Sequence, residues 1–374
     1  MSTNSGYHIQ YYAHLAAEQG ISVIIAVPRI DDDERFMFPS LDVRTYDDVE
    51  ENGVLFSDGR GPDIVHAWTP REIVRRFCAR LERQYSFQTI IHLEDNEHYL
   101  TEAAGGRPWN ELMNMPVREL DGMIPETRFH PVRGWKWLKQ VHGVSMIIDT
   151  LQCFNPSNLP SAILPAPVDE RLFYPRPVNH QLRQTLQIPD HHVVLAYTGD
   201  VRPLKQQEAE QLYQAVAMLN EQGLPTTLIR TGKDYVSFGD NESRYKQHEK
   251  PMGWVDREKV PEVLAAADIL VQPGQPGPFD DHRIPAKLPE YFAMGRPVIL
   301  PKANLGQWVD HGREGYVLER ADAQGIARAV QELNKDRKWM QDMGNAAVDF
   351  YLHKCSVPVH APYALYQTVT QSIQ

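Results

Sequence analysis

The run QPGQPGPFDDHRIPAKLPEYFAMGRPVIL, Gln272 to Leu300, holds a whole supersecondary unit. An apolar strand expected from Ile269 to Gln272 stops at a Gly/Pro loop carrying Asp280, Asp281 and Arg283. A helix is predicted from Pro285 to Met294, and after Gly295 comes a second apolar run, Val298 to Leu300. Strand, helix and strand in so short a space read as a βαβ crossover, which forces the two strands to be parallel. Proline in the first turn marks the helix start, where free N–H groups suit an anion. On that helix Lys287 and Glu290 stand i,i+3 and share a face, so Lys287 can meet a phosphate while Glu290 accepts ribose hydroxyls. The same spacing also describes a solvated ion pair worth a few tenths of a kcal/mol.

The flanking sequence repeats the alternation. Strands are expected at Val193–Thr198 and Thr226–Thr231, with helices at Gln206–Asn220 and Val260–Ala266. Between the first strand and helix lies YTGDVRPLK, Tyr197 to Lys205, where a turn at Gly199 is followed by Arg202 and Lys205. Two cations beyond the carboxyl end of a strand suit a diphosphate, the Arg as a fork and the Lys as a point charge. No GxGxxG and no GxxxxGK[ST] accompanies them, so neither a dinucleotide fingerprint nor a P-loop is present.

The amino-terminal half follows the same rhythm: helix Tyr7–Gln19, strand Ile21–Val27, strand Asp63–Ala67, helix Arg71–Arg83, strand Gln88–Leu93 and strand Val144–Asp149. The stretch from Gly105 to Pro131 reads as loop and short helices. A doubly wound domain ordinarily opens with its central strand. Here a helix comes first, behind Asn4-Ser5-Gly6, so the domain lacks its opening strand or is built differently. The proline-rich Leu164 to Pro177 marks the crossing between halves. The expectation is therefore α/β: two Rossmann-like doubly wound domains facing across a cleft, residues 1–164 with 350–374 crossing back, and residues 178–349.

Composition narrows the partners. At roughly 150 residues per domain, 374 residues suit two domains. Lys plus Arg number 38 against 49 for Asp plus Glu, a net charge of −11 that argues against a nucleic-acid binder. Cys78, Cys153 and Cys355 lie far apart, which indicates neither a disulfide framework nor a zinc site. No apolar stretch approaches the ~20 residues of a membrane span, and the polar Met1 to Gly6 makes a cytoplasmic address the default. Two basic stretches, Arg71 to Arg83 and RGWKWLK (Arg133 to Lys139), suit a peripheral membrane contact or an anionic acceptor, although a surface helix is the simpler account.

Several segments together carry a resemblance: LPAPVDERLFYP, YTGDVRPLK, GWVDREKVPEVLAAADILVQPG, IPAKLPEYFAMGRPVILP and GREGYVLERADAQGIARAVQEL. Over Leu164 to Leu333 the sequence resembles the GT-B glycosyltransferases of the retaining family-four type, the glycosyl transferases group 1. The resemblance implies transfer of a sugar from a nucleotide diphosphate sugar to an acceptor, with retention and without metal or other cofactor. It puts Arg202 and Lys205 on the donor diphosphate, Glu290 on its ribose, and Gly253 to Val255 near its base. One departure stands out: the family's E-x7-E has His282 in place of its first Glu, between Asp281 and Arg283. In the amino half the resemblance implies a His or acid at a strand end near the acceptor. TIIHLEDNE, Thr89 to Glu97, supplies His92, Glu94 and Asp95 as the catalytic candidates, with His66 a second choice. Asp31-Asp32-Asp33 and Asp280-Asp281 are acid clusters outside any DxD-like metal context. The acceptor, whether sugar, lipid-linked or protein, is not identified. Rival readings are a GT-B-fold sugar-nucleotide epimerase and a non-catalytic nucleotide-sugar-binding subunit, the latter favoured by His282.

Overall fold

The computed structural model describes residues 4–30, 37–358 and 360–371. The cluster Asp31-Asp32-Asp33 lies outside the described residues. The chain divides into two compact units, residues 1–167 with 357–374, and residues 168–356.

The first unit opens on helix α1 (Asn4–Glu18), and among the described residues no strand precedes it. Strands β1 (Ile24–Val27) and β2 (Asp42–Thr45) pair in parallel as a sheet of their own. A separate four-stranded parallel sheet runs β3 (Ile64–Trp68), β4 (Gln88–Leu93), β5 (Gly143–Met146) and β6 (Ser161–Ile163). Helix α2 (Glu72–Leu81) connects β3 to β4, and α3 (Glu97–Gly105) follows β4. Strand β4 is buried almost throughout, which is why it reads as an unbroken apolar run rather than an alternation. Register puts Trp68 opposite His92, and His92 opposite Ser145. Because side chains alternate along each strand, His66, Trp68, His92 and Ser145 share one sheet face.

The second unit is one six-stranded parallel sheet. Its strands are β7 (Val193–Tyr197), β8 (Thr226–Arg230), β9 (Glu249–Pro251), β10 (Ile269–Val271), β11 (Val298–Pro301) and β12 (Tyr316–Leu318), in the spatial order 12-11-10-7-8-9. The winding reverses between β7 and β10, and open α/β sheets bind ligands beyond the carboxyl ends of strands at such a switch point. Both faces are covered. Leu195 and Tyr197 pack with α4 (Gln206–Glu221), while Val194 and Ala196 pack with α5 (Lys287–Ala293) on the other side. Helices α6 (Ala323–Leu333) and α7 (Arg337–Phe350) complete the two layers. Helix α5 starts at Lys287, two residues later than the proline signal suggested, and has seven residues. The last helix, α8 (Ala361–Gln371), belongs to the first unit, where Leu365 and Val369 pack on Ile90 of β4.

Candidate functional site

At the switch point of the second unit, the turn after β7 is held by backbone contacts. The Thr198 N–H donates to the buried Tyr291 hydroxyl of α5 at 2.9 Å. The Arg230 guanidinium donates to the carbonyls of Gly199 at 2.8 Å, Thr231 at 2.6 Å and Tyr197 at 3.2 Å. Gly232, with φ at +81°, lies so close that an added Cβ would stand 2.5 Å from the Gly199 carbonyl carbon. Only glycine allows that approach.

Cations converge on this turn. The Lys287 ammonium sits 3.6 Å from the Tyr197 ring centroid, and a Cβ on Gly199 would be 3.6 Å from it. Burial, with Arg230 and Arg283 nearby, pulls the Lys287 pKa well below its ordinary value. Among the described residues no carboxylate pairs with it. Lys205 is already engaged: its Nζ donates to Glu208 Oε1 and Asp280 Oδ1, both at 2.7 Å. Burial and the neighbouring Asp280 push the Glu208 carboxyl up to about 7, with Lys205 opposing. Arg283 lies 3.9 Å from Asp280 and covers the Phe279 ring. Lys205 and Arg283 thus share Asp280 and lie within electrostatic reach of Lys287, which stands against Gly199, with Glu208 and Asp280 the two acids among them.

The other donor-side candidates lie apart from that cluster. Arg202 is largely exposed, 3.8 Å from Asp200 and over the Tyr235 ring. Glu290 is buried and takes Arg257 Nη2 at 2.8 Å, so Lys287 and Glu290 leave α5 for different partners rather than forming a solvated pair. His282 closes a short turn, Asp280–His282. Val255 borders a groove of about 340 Å³ with Leu182, Met252, Trp254, Lys259 and Val263. Tyr197, Glu208, Arg230 and Arg257 went unsingled in sequence. Glu208 had a visible signal, standing i,i+3 from Lys205 on a predicted helix, and Arg230 is a lone charge in an apolar strand.

In the first unit the catalytic candidates occupy a denser network. Glu94 is buried beyond the end of β4 and accepts from Ser5 Oγ at 2.5 Å and Trp68 Nε1 at 2.9 Å, with His8 Nδ1 3.2 Å away. Burial would raise its pKa, but the bond and charge of His8, with His92 and Ser5, hold it down to about 2. So fixed a carboxylate is a standing negative charge and a poor proton acceptor at neutral pH. His92 stacks on Trp68 with ring centroids 4.0 Å apart, and its Nδ1 meets Ser145 Oγ at 2.8 Å. His66 reaches the same Ser145 oxygen from the other side at 2.8 Å. Asp95 is half-buried, 3.8 Å from Arg71, which donates to the buried Glu97 at 3.0 Å. Burial, opposed by Arg71, pushes the Glu97 carboxyl up to about 7. Ser5, His8, Trp68 and Ser145 escaped sequence reading because nothing in their spacing links them.

The basic helix α2 is largely neutralised. Arg71, Arg75, Arg76 and Arg80 each meet a carboxylate, at Glu97, Glu72, Glu126 and Glu50. Among the described residues no helix is long and apolar enough to cross a membrane, and no three His, Cys, Asp or Glu side chains gather as a metal site.

The whole chain superposes on HepE of Anabaena, solved with UDP and glucose, at a TM-score of 0.69 and 14% identity, covering 100% of this chain and 96% of that one. Residues 192–336 match the family described as glycosyl transferases group 1. The fold is that of a GT-B protein, and its second unit holds the residues that match the group 1 model. The matched residues contain four of the five segments on which the resemblance rests, and LPAPVDERLFYP, Leu164 to Pro175, precedes them. A sucrose-phosphate synthase of Thermosynechococcus elongatus has the same fold at a TM-score of 0.63 and 17% identity, covering 98% of this chain and 92% of that one. Among curated proteins, N-acetyl-alpha-D-glucosaminyl L-malate synthase of Bacillus anthracis is 23% identical over 182 residues. That match spans 48% of this chain and about half, 46%, of the relative's own length.

Proposed function

We propose that this protein is a group 1 glycosyltransferase that moves a sugar from a nucleoside diphosphate sugar to an acceptor hydroxyl, with retention of configuration and without a metal. The observation that carries the reading is Lys287, whose buried amine rests on the Tyr197 ring at the switch point with no carboxylate paired to it among the described residues. An unpaired, desolvated ammonium costs stability, and a diphosphate restores the missing charge. Lys205 joins it when the diphosphate competes with Glu208 and Asp280, and Arg202 and Arg283 add positive charge from the two loops. Glu290 takes the ribose hydroxyls and Val255 flanks the base. In the first unit His92, Glu94 and Asp95 serve the acceptor side, with Glu94 as the fixed charge that stabilises positive character at the sugar carbon. The bond from the anomeric carbon to the diphosphate oxygen breaks, the acceptor oxygen takes its place, and the hydroxyl proton passes to the departing nucleoside diphosphate.

UDP-glucose is the donor to try first, because HepE was solved with UDP and glucose and, separately, with UDP-glucose. Calorimetric titration with UDP is expected to show Lys287→Ala losing about tenfold or more in affinity, the worth of one charge-assisted contact. Equal affinity in the variant would sink the diphosphate assignment. Transfer or hydrolysis of a nucleotide sugar by the wild-type protein tests the activity itself.

A further inference from the structure

The four polar groups His92, Ser145, His66 and Tyr366 form a single file inside the first unit. Tyr366 Oη lies 2.9 Å from His66 Nδ1, His66 Nε2 lies 2.8 Å from Ser145 Oγ, and Ser145 Oγ lies 2.8 Å from His92 Nδ1. The positions are fixed by the fold. His92 and Ser145 are register partners on β4 and β5, and Tyr366 arrives from α8, whose Leu365 and Val369 pack on Ile90. Trp68 stacked on the His92 ring holds that ring in its plane. Beyond the file, His92 Nε2 is buried with no hydrogen-bond partner among the described residues.

Burial lowers the pKa of both histidines, His66 to about 3 and His92 well below its ordinary value, so both rings are neutral and each has one N–H. Three proton arrangements satisfy the file, because the Ser145 oxygen can accept two hydrogen bonds. In the first, Tyr366 O–H donates to His66 Nδ1, His66 Nε2–H to Ser145 Oγ, and Ser145 O–H to His92 Nδ1, which leaves the His92 proton on Nε2. In the second every bond reverses: His92 carries its proton on Nδ1, Ser145 donates to His66, and His66 Nδ1–H donates to Tyr366 Oη. In the third both rings donate to Ser145 Oγ while Tyr366 O–H donates to His66 Nδ1. Each alternative strands a second group, the Tyr366 hydroxyl proton in the second and the buried Ser145 hydroxyl proton in the third, neither with an acceptor among the described residues. A buried polar group left unmade costs ~1–3 kcal/mol, so the first arrangement holds.

We propose that Tyr366, acting through His66 and Ser145, locks His92 as its Nε2–H tautomer, so that the buried ring carries a hydrogen-bond donor and no lone pair at Nε2. The role assigned to that donor rests on the reading of His92 as a site residue given above. His92 then binds a hydroxyl oxygen and does not remove its proton, and Tyr366, His66 and Ser145 are positioning residues.

The test is ring nitrogen spectroscopy on the full-length protein labelled with nitrogen-15 histidine, the His92 and His66 signals being assigned from His92→Gln and His66→Gln. The expected wild-type pattern for His92 is a pyrrole-type Nε2 and a pyridine-type Nδ1. In Tyr366→Phe that pattern is expected to be lost or averaged, with UDP affinity unchanged and kcat lowered. Ser145→Ala breaks the file between His66 and His92 and serves if Tyr366→Phe does not fold. A wild-type His92 protonated on Nδ1, or a His92 pattern unaltered in both variants, would overturn the relay. The tautomer is read without substrate, so unimpaired transfer by His92→Gln would overturn the role of His92 and leave the relay standing.

Discussion

The two units place chemistry beyond the ends of parallel strands in opposite ways. In the second, one continuous sheet presents Lys287 against Gly199, and among the described residues no carboxylate pairs with it. In the first, the sheet is in two pieces, and the corresponding groups are knotted together, with three donors on Glu94 and two histidines on Ser145. The difference teaches that a group awaiting an anion is left partly unsatisfied, whereas groups that hold one charge or one tautomer steady are satisfied by each other. The second kind of site costs less stability in the empty protein and gives less away in the sequence.

The contrast can be broken hardest at Gly232. An alanine there places its Cβ against the Gly199 carbonyl at a positive φ, and a loss of about 3 kcal/mol is expected in urea unfolding, together with weakened UDP binding. An unchanged midpoint would show that the β7 turn gives way, and the second unit would then be no stiffer than its neighbour. Glu94→Gln sharpens the comparison from the other side. Its donors Ser5, His8 and Trp68 lose a carboxylate, and about 2 kcal/mol is expected to go at neutral pH while UDP affinity holds. The sign follows from the depressed pKa: the stabilisation by Glu94 is complete above 4.5 and is lost as pH falls toward about 2. The smallest effect is expected at Glu208. Its pKa is raised from 4.5 to about 7, so its stabilising share is complete below 4.5 and lost as pH rises through 7. Glu208→Gln should flatten that slope by on the order of 1 kcal/mol, read from unfolding at pH 5 and pH 8. A slope equal to wild type would place the pH dependence on Glu97 of the first unit, whose carboxyl titrates in the same range.

Buried central strands were legible because burial on both faces leaves no polar residue to interrupt them. Gln88–Leu93 was read to the residue, and Val193–Thr198 differs from β7 by one position. The edge strands β2 (Asp42–Thr45), β6 (Ser161–Ile163) and β9 (Glu249–Pro251) were missed. DVRT, SAI and EKP are short and partly exposed, and they become strands through the neighbour they pair with rather than through their own pattern. Helix α5 was legible in existence and late in its start, as Pro285 and Ala286 form its approach and not its first turn.

The site divides along the same line. Lys205 and Lys287 were found because a cation near a glycine turn at a strand end is a local signal, and a local signal survives in one dimension. Glu290 was found too, yet its partner Arg257 was not, since 33 positions of chain separate them. The sequence by itself determined two α/β units and the parallel crossovers, and it placed Arg202 and Lys205 beyond the end of β7, because periodicity and nearest neighbours are properties of the chain. Only the tertiary structure decided that Lys205 is held by Asp280, that Lys287 rests on Tyr197, and that Tyr366 reaches His66 across 300 positions. Those pairings depend on sheet register and helix docking, which bring together groups whose separation along the chain carries no information about their distance in space.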